Sequence, residues 1–238
     1  MSLYQDQGVV LRTIRLGESD RIVTLVTRGH GKVRAVAKGV RKTKSRFGGR
    51  LEPMGHVALL LYEGRELDVV TQAETLEPFR QLRADLDLVA RASSLLEAVD
   101  QVAQERQAQP RLYEMLVGAL RALERTRSPL VVPAFFLKLL VLEGSRPVLD
   151  LCANCGSEGA LVAFDLEEGG ALCRSCRRGM PLGPEALALM RRILGGEMGA
   201  TFAEPPGAAG REVEAIASYA MEHHLERRLR SIGILDRG

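Results

Sequence analysis

Short apolar runs separated by polar turns fill the first third of the chain. Val9-Val10-Leu11 and Ile22-Val23-Thr24-Leu25-Val26 are rich in β-branched residues and are bounded by Gly17-Glu18-Ser19-Asp20 and Gly29-His30-Gly31. Lys32 to Lys38 largely alternates charged with small apolar side chains, as a strand with one wet face requires. Val57 to Tyr62 and Leu67 to Thr71 flank Glu63-Gly64-Arg65-Glu66, a hairpin signal with glycine in the turn. Residues 8–76 therefore predict five short strands, enough for a small closed barrel such as the five-stranded OB-fold, with an SH3-like barrel as the competing arrangement.

After Pro78 the period becomes helical. Leu82, Leu86, Val89, Ser93, Leu96 and Val99 mark one stripe. Leu112, Met115, Leu116, Ala119, Leu120 and Leu123 mark a second, opened by Pro110 near its first turn. Pro133 to Glu143 is apolar nearly all round and predicts a buried central helix ended by Gly144. Two more helices are expected at about Pro184 to Leu194 and Arg211 to Arg230, with Gly195 to Gly210 as a loop. The fold class is α+β and multidomain: an N-terminal OB-fold barrel over 1–80, a helical domain over 81–150 plus 182–238, and a small inserted module over 151–181.

Charge changes the picture more by position than by sum. The net charge of the 238 residues is +3, yet residues 1–80 hold 14 basic and 9 acidic residues against 19 and 21 in the remainder. Arg28, Lys32, Arg34, Lys38, Arg41, Lys42, Lys44, Arg46 and Arg50 follow one another with no Asp or Glu between them. Such a run repels itself unless a polyanion relieves it, so these nine are the candidate nucleic-acid-binding residues. Basic side chains interleaved with Thr43, Ser45 and glycines suit a mobile loop that follows a phosphate backbone, gaining free energy from counterion release. Phe47 either stacks on a base or pins the loop to the barrel. The aromatic share is 4% and tryptophan is absent, which argues against a groove built on base stacking. Arg227, Arg228 and Arg230 on the last predicted helix are a candidate extension of the basic track.

Four cysteines form two tight pairs, Cys152-Ala153-Asn154-Cys155 and Cys173-Arg174-Ser175-Cys176, separated by seventeen residues. Each CxxC turn presents two thiolates to one cation, and two such knuckles complete a tetrahedron, so one structural zinc ion is expected. Four thiolates close the coordination sphere and leave no place for a reacting water. The only His-x-Glu, His224-Leu225-Glu226, follows both pairs and neither pair follows a proline, which excludes a zinc deaminase. Glycine-rich phosphate loops of the GxxxxGK[ST] kind are absent, so no ATP site is expected. Glu18 and Asp20 are expected to meet Arg21 at a strand turn, and His30 and His56 to hold surface or capping positions. The first residues lack the layout of a secretory signal, and the longest apolar run, Leu130 to Leu142, is shorter than the roughly 20 residues a membrane span needs. A cytoplasmic, nucleoid-associated protein is the expectation.

Gly17-Glu18-Ser19-Asp20-Arg21, Thr27 with Gly31-Lys32, Ala37-Lys38-Gly39-Val40-Arg41 and Ser45-Arg46-Phe47-Gly48 stand in an order that resembles the N-terminal domain of the RecO family. Phe135 to Leu140 before Gly144 is similar to that family's central helix, and Cys152 to Gly156 and Gly169 to Cys173 to its zinc segment. The resemblance covers 8–55 and 133–176 well and the rest loosely. It implies a non-enzymatic DNA repair and recombination protein that binds single- and double-stranded DNA and anneals complementary strands. It further implies partnership with RecR and single-strand-binding protein to help load RecA. The alternative is a zinc-ribbon accessory factor that binds RNA or polymerase; a nuclease ranks last, since no carboxylate or histidine cluster is evident.

Overall fold

The computed structural model describes residues 2–45, 47–203 and 205–230. The chain forms two compact units, the first covering 1–124 and the second beginning at Arg125.

In the first unit, β1 (Leu3–Leu16), β2 (Asp20–Thr27), β3 (Gly31–Ala37), β4 (His56–Tyr62) and β5 (Asp68–Glu77) close into a barrel of order β1-β2-β3-β5-β4. All pairings are antiparallel except a short parallel contact between β3 and β5 at Ala35↔Asp68 and Val36↔Val69. This is the expected five-stranded OB-fold barrel. Alternation fills its interior: Val10, Val23, Leu25, Ala35, Ala37, Val57, Leu59, Leu61 and Val70 form one buried cluster. β1 runs six residues beyond the Val9 core on its N-terminal side, because Leu3 to Gly8 pair with β4 although they lack β-branched residues.

The stretch after β3 is not a loose loop. Val40, Phe47 and Leu51 are buried in the barrel cluster. Between them, amides at Lys42, Ser45, Gly48 and Arg50 each bond a carbonyl three residues earlier, a chain of tight turns. Phe47, 1% exposed, pins the segment and is not offered to a base.

Helices α1 (Arg80–Ala84), α2 (Leu86–Val102) and α3 (Pro110–Thr126) follow. The Asp85 carboxylate caps α2 by accepting from the amides of Asp87 and Leu88. The α2–α3 connector lies along β3: the Lys32 amide donates to the Gln104 carbonyl at 2.9 Å and the Arg106 amide to the Lys32 carbonyl at 3.0 Å. Only glycine fits beside it at position 31, where φ is +66° and a Cβ would stand 1.9 Å from the Gln107 carbonyl oxygen. Asp68, fully buried, accepts from Tyr4 Oη, the Gly64 amide and Arg106. Burial alone would raise its pKa; the bonds from Tyr4, Gly64 and Arg106 outweigh that and hold it below the usual carboxylate range.

The second unit is built on α4 (Val131–Leu142), buried on every side but one, with α5 (Pro184–Gly195) and α7 (Ala208–His224) packed against it. Just past the end of α4, Gly144 turns left-handed at φ +84° and the Ser145 amide reaches back to the Leu140 carbonyl at 2.8 Å. The inserted module holds β6 (Leu161–Asp165), β7 (Gly170–Cys173) and β8 (Met180–Pro181), in sheet order β7-β6-β8.

Three expectations need correction. The last helix stops at His224, with Glu226 at φ +51°, so Arg227, Arg228 and Arg230 lie beyond it. The glycine-rich stretch 195–210 contains a short helix, α6 (Met198–Ala203), in which Thr201 bonds back to the Glu197 carbonyl at 2.8 Å. His56 is 4% exposed, a core residue, because its place at the start of β4 lies under Tyr113 of α3.

Candidate nucleic-acid surface and metal centre

The segment that follows β3 brings the later part of the basic run, from Lys38 onward, to the end of the barrel that holds the β1–β2 turn. The Gly39 amide donates to Asp20 Oδ1 at 2.7 Å, the Arg41 amide to the Ser19 carbonyl at 3.0 Å, and the Arg41 guanidinium to the Glu18 carbonyl at 2.9 Å. The segment after β3 is thereby fastened to the β1–β2 hairpin. Asp20 is spent on this fastening: the Gly39 amide chiefly, with Ser19, lowers its pKa. It does not meet Arg21, which pairs with Glu52.

The predicted residues divide by what holds them. Lys38, Lys42 and Lys44 are exposed, and among the described residues none of the three forms an ion pair or side-chain hydrogen bond. Arg34 is exposed on β3, and Arg41 and Arg50 are exposed while bonding carbonyls of Glu18 and Phe47. Arg28 and Lys32 are drawn to the helices instead. Arg28 pairs with Glu114 at 3.3 Å, and half-buried Lys32 donates its ammonium to the Asp100 carbonyl at 2.7 Å. Arg46 lies outside the described residues. Arg15, opposite Arg21 in the β1–β2 register, is exposed at the same end of the barrel. Reading charge only between 28 and 50 misses it; hairpin pairing is the signal that would have included it.

The cysteines come together as their spacing predicts. Their four sulfurs lie within 4.8 Å of one another. The Cys155 and Cys173 sulfurs are 3.8 Å apart, close to the edge of a tetrahedron whose metal–sulfur bonds are about 2.3 Å. The first knuckle closes through the Gly156 amide to the Cys152 carbonyl at 2.8 Å, with Gly156 at φ +72°. The Ala153 amide joins it to β7 at the Ala171 carbonyl, 2.9 Å away. The second knuckle runs from the end of β7 into a 3-10 turn over Arg174–Cys176, and Asn154 Nδ2 donates to Cys176 Sγ at 3.2 Å. Crowding splits the thiols. The Cys173 backbone amide, aided by those of Cys155 and Asn154, lowers the Cys152 pKa. At Cys155 the Ser157 backbone favours the thiolate, but the sulfurs of Cys152 and Cys176 override it and raise the pKa. Four thiolates this close need a cation, so the donor set fits a metal ion.

Among the described residues the cysteines are the only cluster of this metal-ligating kind, and no helix is long and apolar enough to cross a membrane.

Two family models match the chain, Recombination protein O N terminal over residues 1–79 and Recombination protein O C terminal over residues 83–232. A DNA repair protein RecO from Nocardioides sp. is 43% identical over 245 residues, spanning 99% of this chain and all of that protein. The DNA repair protein RecO of Frankia casuarinae is 42% identical over 243 residues and spans both chains completely.

Proposed function

The chain belongs to the RecO family, whose relatives carry the name DNA repair protein, and on that premise we propose that it binds single- and double-stranded DNA and anneals complementary strands without catalysing a reaction. The observation that carries this reading is the end of the barrel where Lys38, Lys42 and Lys44 stand exposed and unpaired among the described residues, with Arg34, Arg41 and Arg50 in the same chain segment. Contacts of this kind are made to phosphates and do not discriminate base sequence. Neutralising two strands on one surface lowers the repulsion between them, so complementary bases can test pairing.

The four cysteines hold one zinc ion in a structural role. Borderline-soft Zn²⁺ matches a four-thiolate site, and such a site has no open position for a substrate. The ion organises the inserted module over 151–181. In recombination the protein serves in the cytoplasm as an assistant to RecA loading, with RecR and single-strand-binding protein as its partners.

The test is annealing of complementary oligonucleotides by the purified protein, with no nucleotide and no added metal. The expected result is a rate well above the protein-free control that falls as salt rises. No acceleration at any salt where the protein is folded would refute the reading.

A further inference from the structure

The outward face of β1, β4 and β5 carries a pocket away from the basic segment. Val57, Leu59 and Leu61 of β4 turn into the barrel core, so Ala58 and Leu60 turn outward, where they are half-buried. Register places Gln5 and Gln72 on either side of Leu60, and Gln7 and Glu74 on either side of Ala58. These six, together with Asp6, Leu59 and Arg28, line a depression of about 470 Å³.

Its chemistry is that of an apolar floor between amide walls. Neighbouring strands are about 4.8 Å apart, so Gln5 and Gln72, two strands removed, are separated by roughly 10 Å. A planar ring laid on Leu60 can reach both amides with its edges. Each amide offers donors and an acceptor, the complement of a base's Watson–Crick and Hoogsteen edges, which unstacked bases expose. Glu74 accepts from an exocyclic amino group. The other carboxylate of the lining, Asp6, is already engaged by the Gly29 and Gln7 amides and by His30 Nδ1. Arg28, which also lines the pocket, pairs with Glu114 at 3.3 Å.

We propose that this pocket holds one unstacked nucleobase of a single strand, with Leu60 and Ala58 beneath the ring and Gln5, Gln72 and Glu74 at its edges. The inference rests on the DNA-binding reading above. Glu74 favours bases that carry an amino group over thymine.

The test compares binding of the full chain to an oligo-dC strand, an oligo-dT strand and a strand of the same length with abasic sites, at one salt concentration. Wild type should bind oligo-dC most tightly and the abasic strand least. Gln5→Ala/Gln72→Ala should weaken oligo-dC binding about tenfold, the loss expected for two hydrogen bonds, and leave abasic binding and the salt slope unchanged. Glu74→Gln should erase the preference for dC over dT. A double variant that keeps the wild-type ratio of dC to abasic affinity overturns the pocket, as does a wild type that binds base-bearing and abasic strands equally. A wild type that binds none of the strands removes the DNA-binding reading itself. Should the double variant not fold, ultraviolet crosslinking of a 5-iododeoxycytidine strand to wild type decides. Crosslinks within 58–60 or 72–74 support the pocket; crosslinks confined to other segments overturn it.

Discussion

At His56 burial and hydrogen bonding pull against each other. Desolvation lowers its pKa first; Glu77 raises it, Arg121 lowers it, and the net shift is downward. The imidazole is therefore neutral near pH 7. Glu77 can only accept, so Nδ1 carries the proton toward it at 2.9 Å while Nε2 accepts from the Tyr113 hydroxyl at 2.7 Å. A histidine with a folded-state pKa below its unfolded value favours the fold above about pH 6.5, and that share is lost as pH falls, until the folded pKa is passed. Glu77, lowered chiefly by Arg121, adds stability that is lost only further into acid. Urea melts followed by circular dichroism at pH 7.5 and 5.5 should show a larger loss for wild type than for His56→Gln; equal losses would contradict the assignment. His56→Ala at pH 7.5 should cost about 1–3 kcal/mol, since it leaves the Tyr113 hydroxyl and Glu77 short of a partner. Cys155→Ser should cost far more of the module's order, because structural zinc is worth on the order of 10 kcal/mol in apparent binding free energy. Elemental analysis should give one zinc per wild-type chain and much less for the variant; a wild type prepared without chelator and free of zinc would remove the metal. The cysteines were legible from spacing alone. The role of His56 was not, since Tyr113, 57 residues later, enters only when α3 is packed.

Among the elements, the α2–α3 connector does what no local pattern announces. It lies on β3 beside Gly31 and brings Arg106 to Asp68 at 2.8 Å, while Asp100 of α2 binds Arg12 at 2.6 Å and bonds Lys32 through its carbonyl. Gly31→Ala should therefore destabilise the first unit by at least about 2 kcal/mol, through both the left-handed backbone and the lost room for the connector. Chemical denaturation would measure it, and a change within about 0.5 kcal/mol would show that the connector yields freely. Strands β2 to β5 and helices α2 to α5 could be read from periodicity, because each buries one face or, for α4, nearly all of it. The first half of β1 could not, since Tyr4, Gln5, Asp6 and Gln7 become a strand only by pairing with β4. The end of α7 was misplaced for a related reason: Leu225 to Arg230 keeps helix-forming residues, yet Glu226 turns left-handed and Leu229 is buried outside the helix.

For the molecule as a whole, the claim is that one end of the barrel is an electrostatic surface for DNA. Composition located the positive field in the first 80 residues, and the fold narrows it. Arg28 and Lys32 also bind the helices, whereas Lys42 and Lys44 stand exposed, free of ion pairs among the described residues. The most direct measurement is the salt dependence of DNA binding by Lys42→Glu/Lys44→Glu beside wild type. If each amine contacts one phosphate, the log–log slope shrinks by about 1.8 on duplex and about 1.4 on single strands. The weakening should be similar for every sequence, annealing should fall with it, and stability should change by less than roughly 0.5 kcal/mol. A folded double variant that binds DNA with wild-type affinity and slope would contradict the account and move the binding surface away from this end of the barrel.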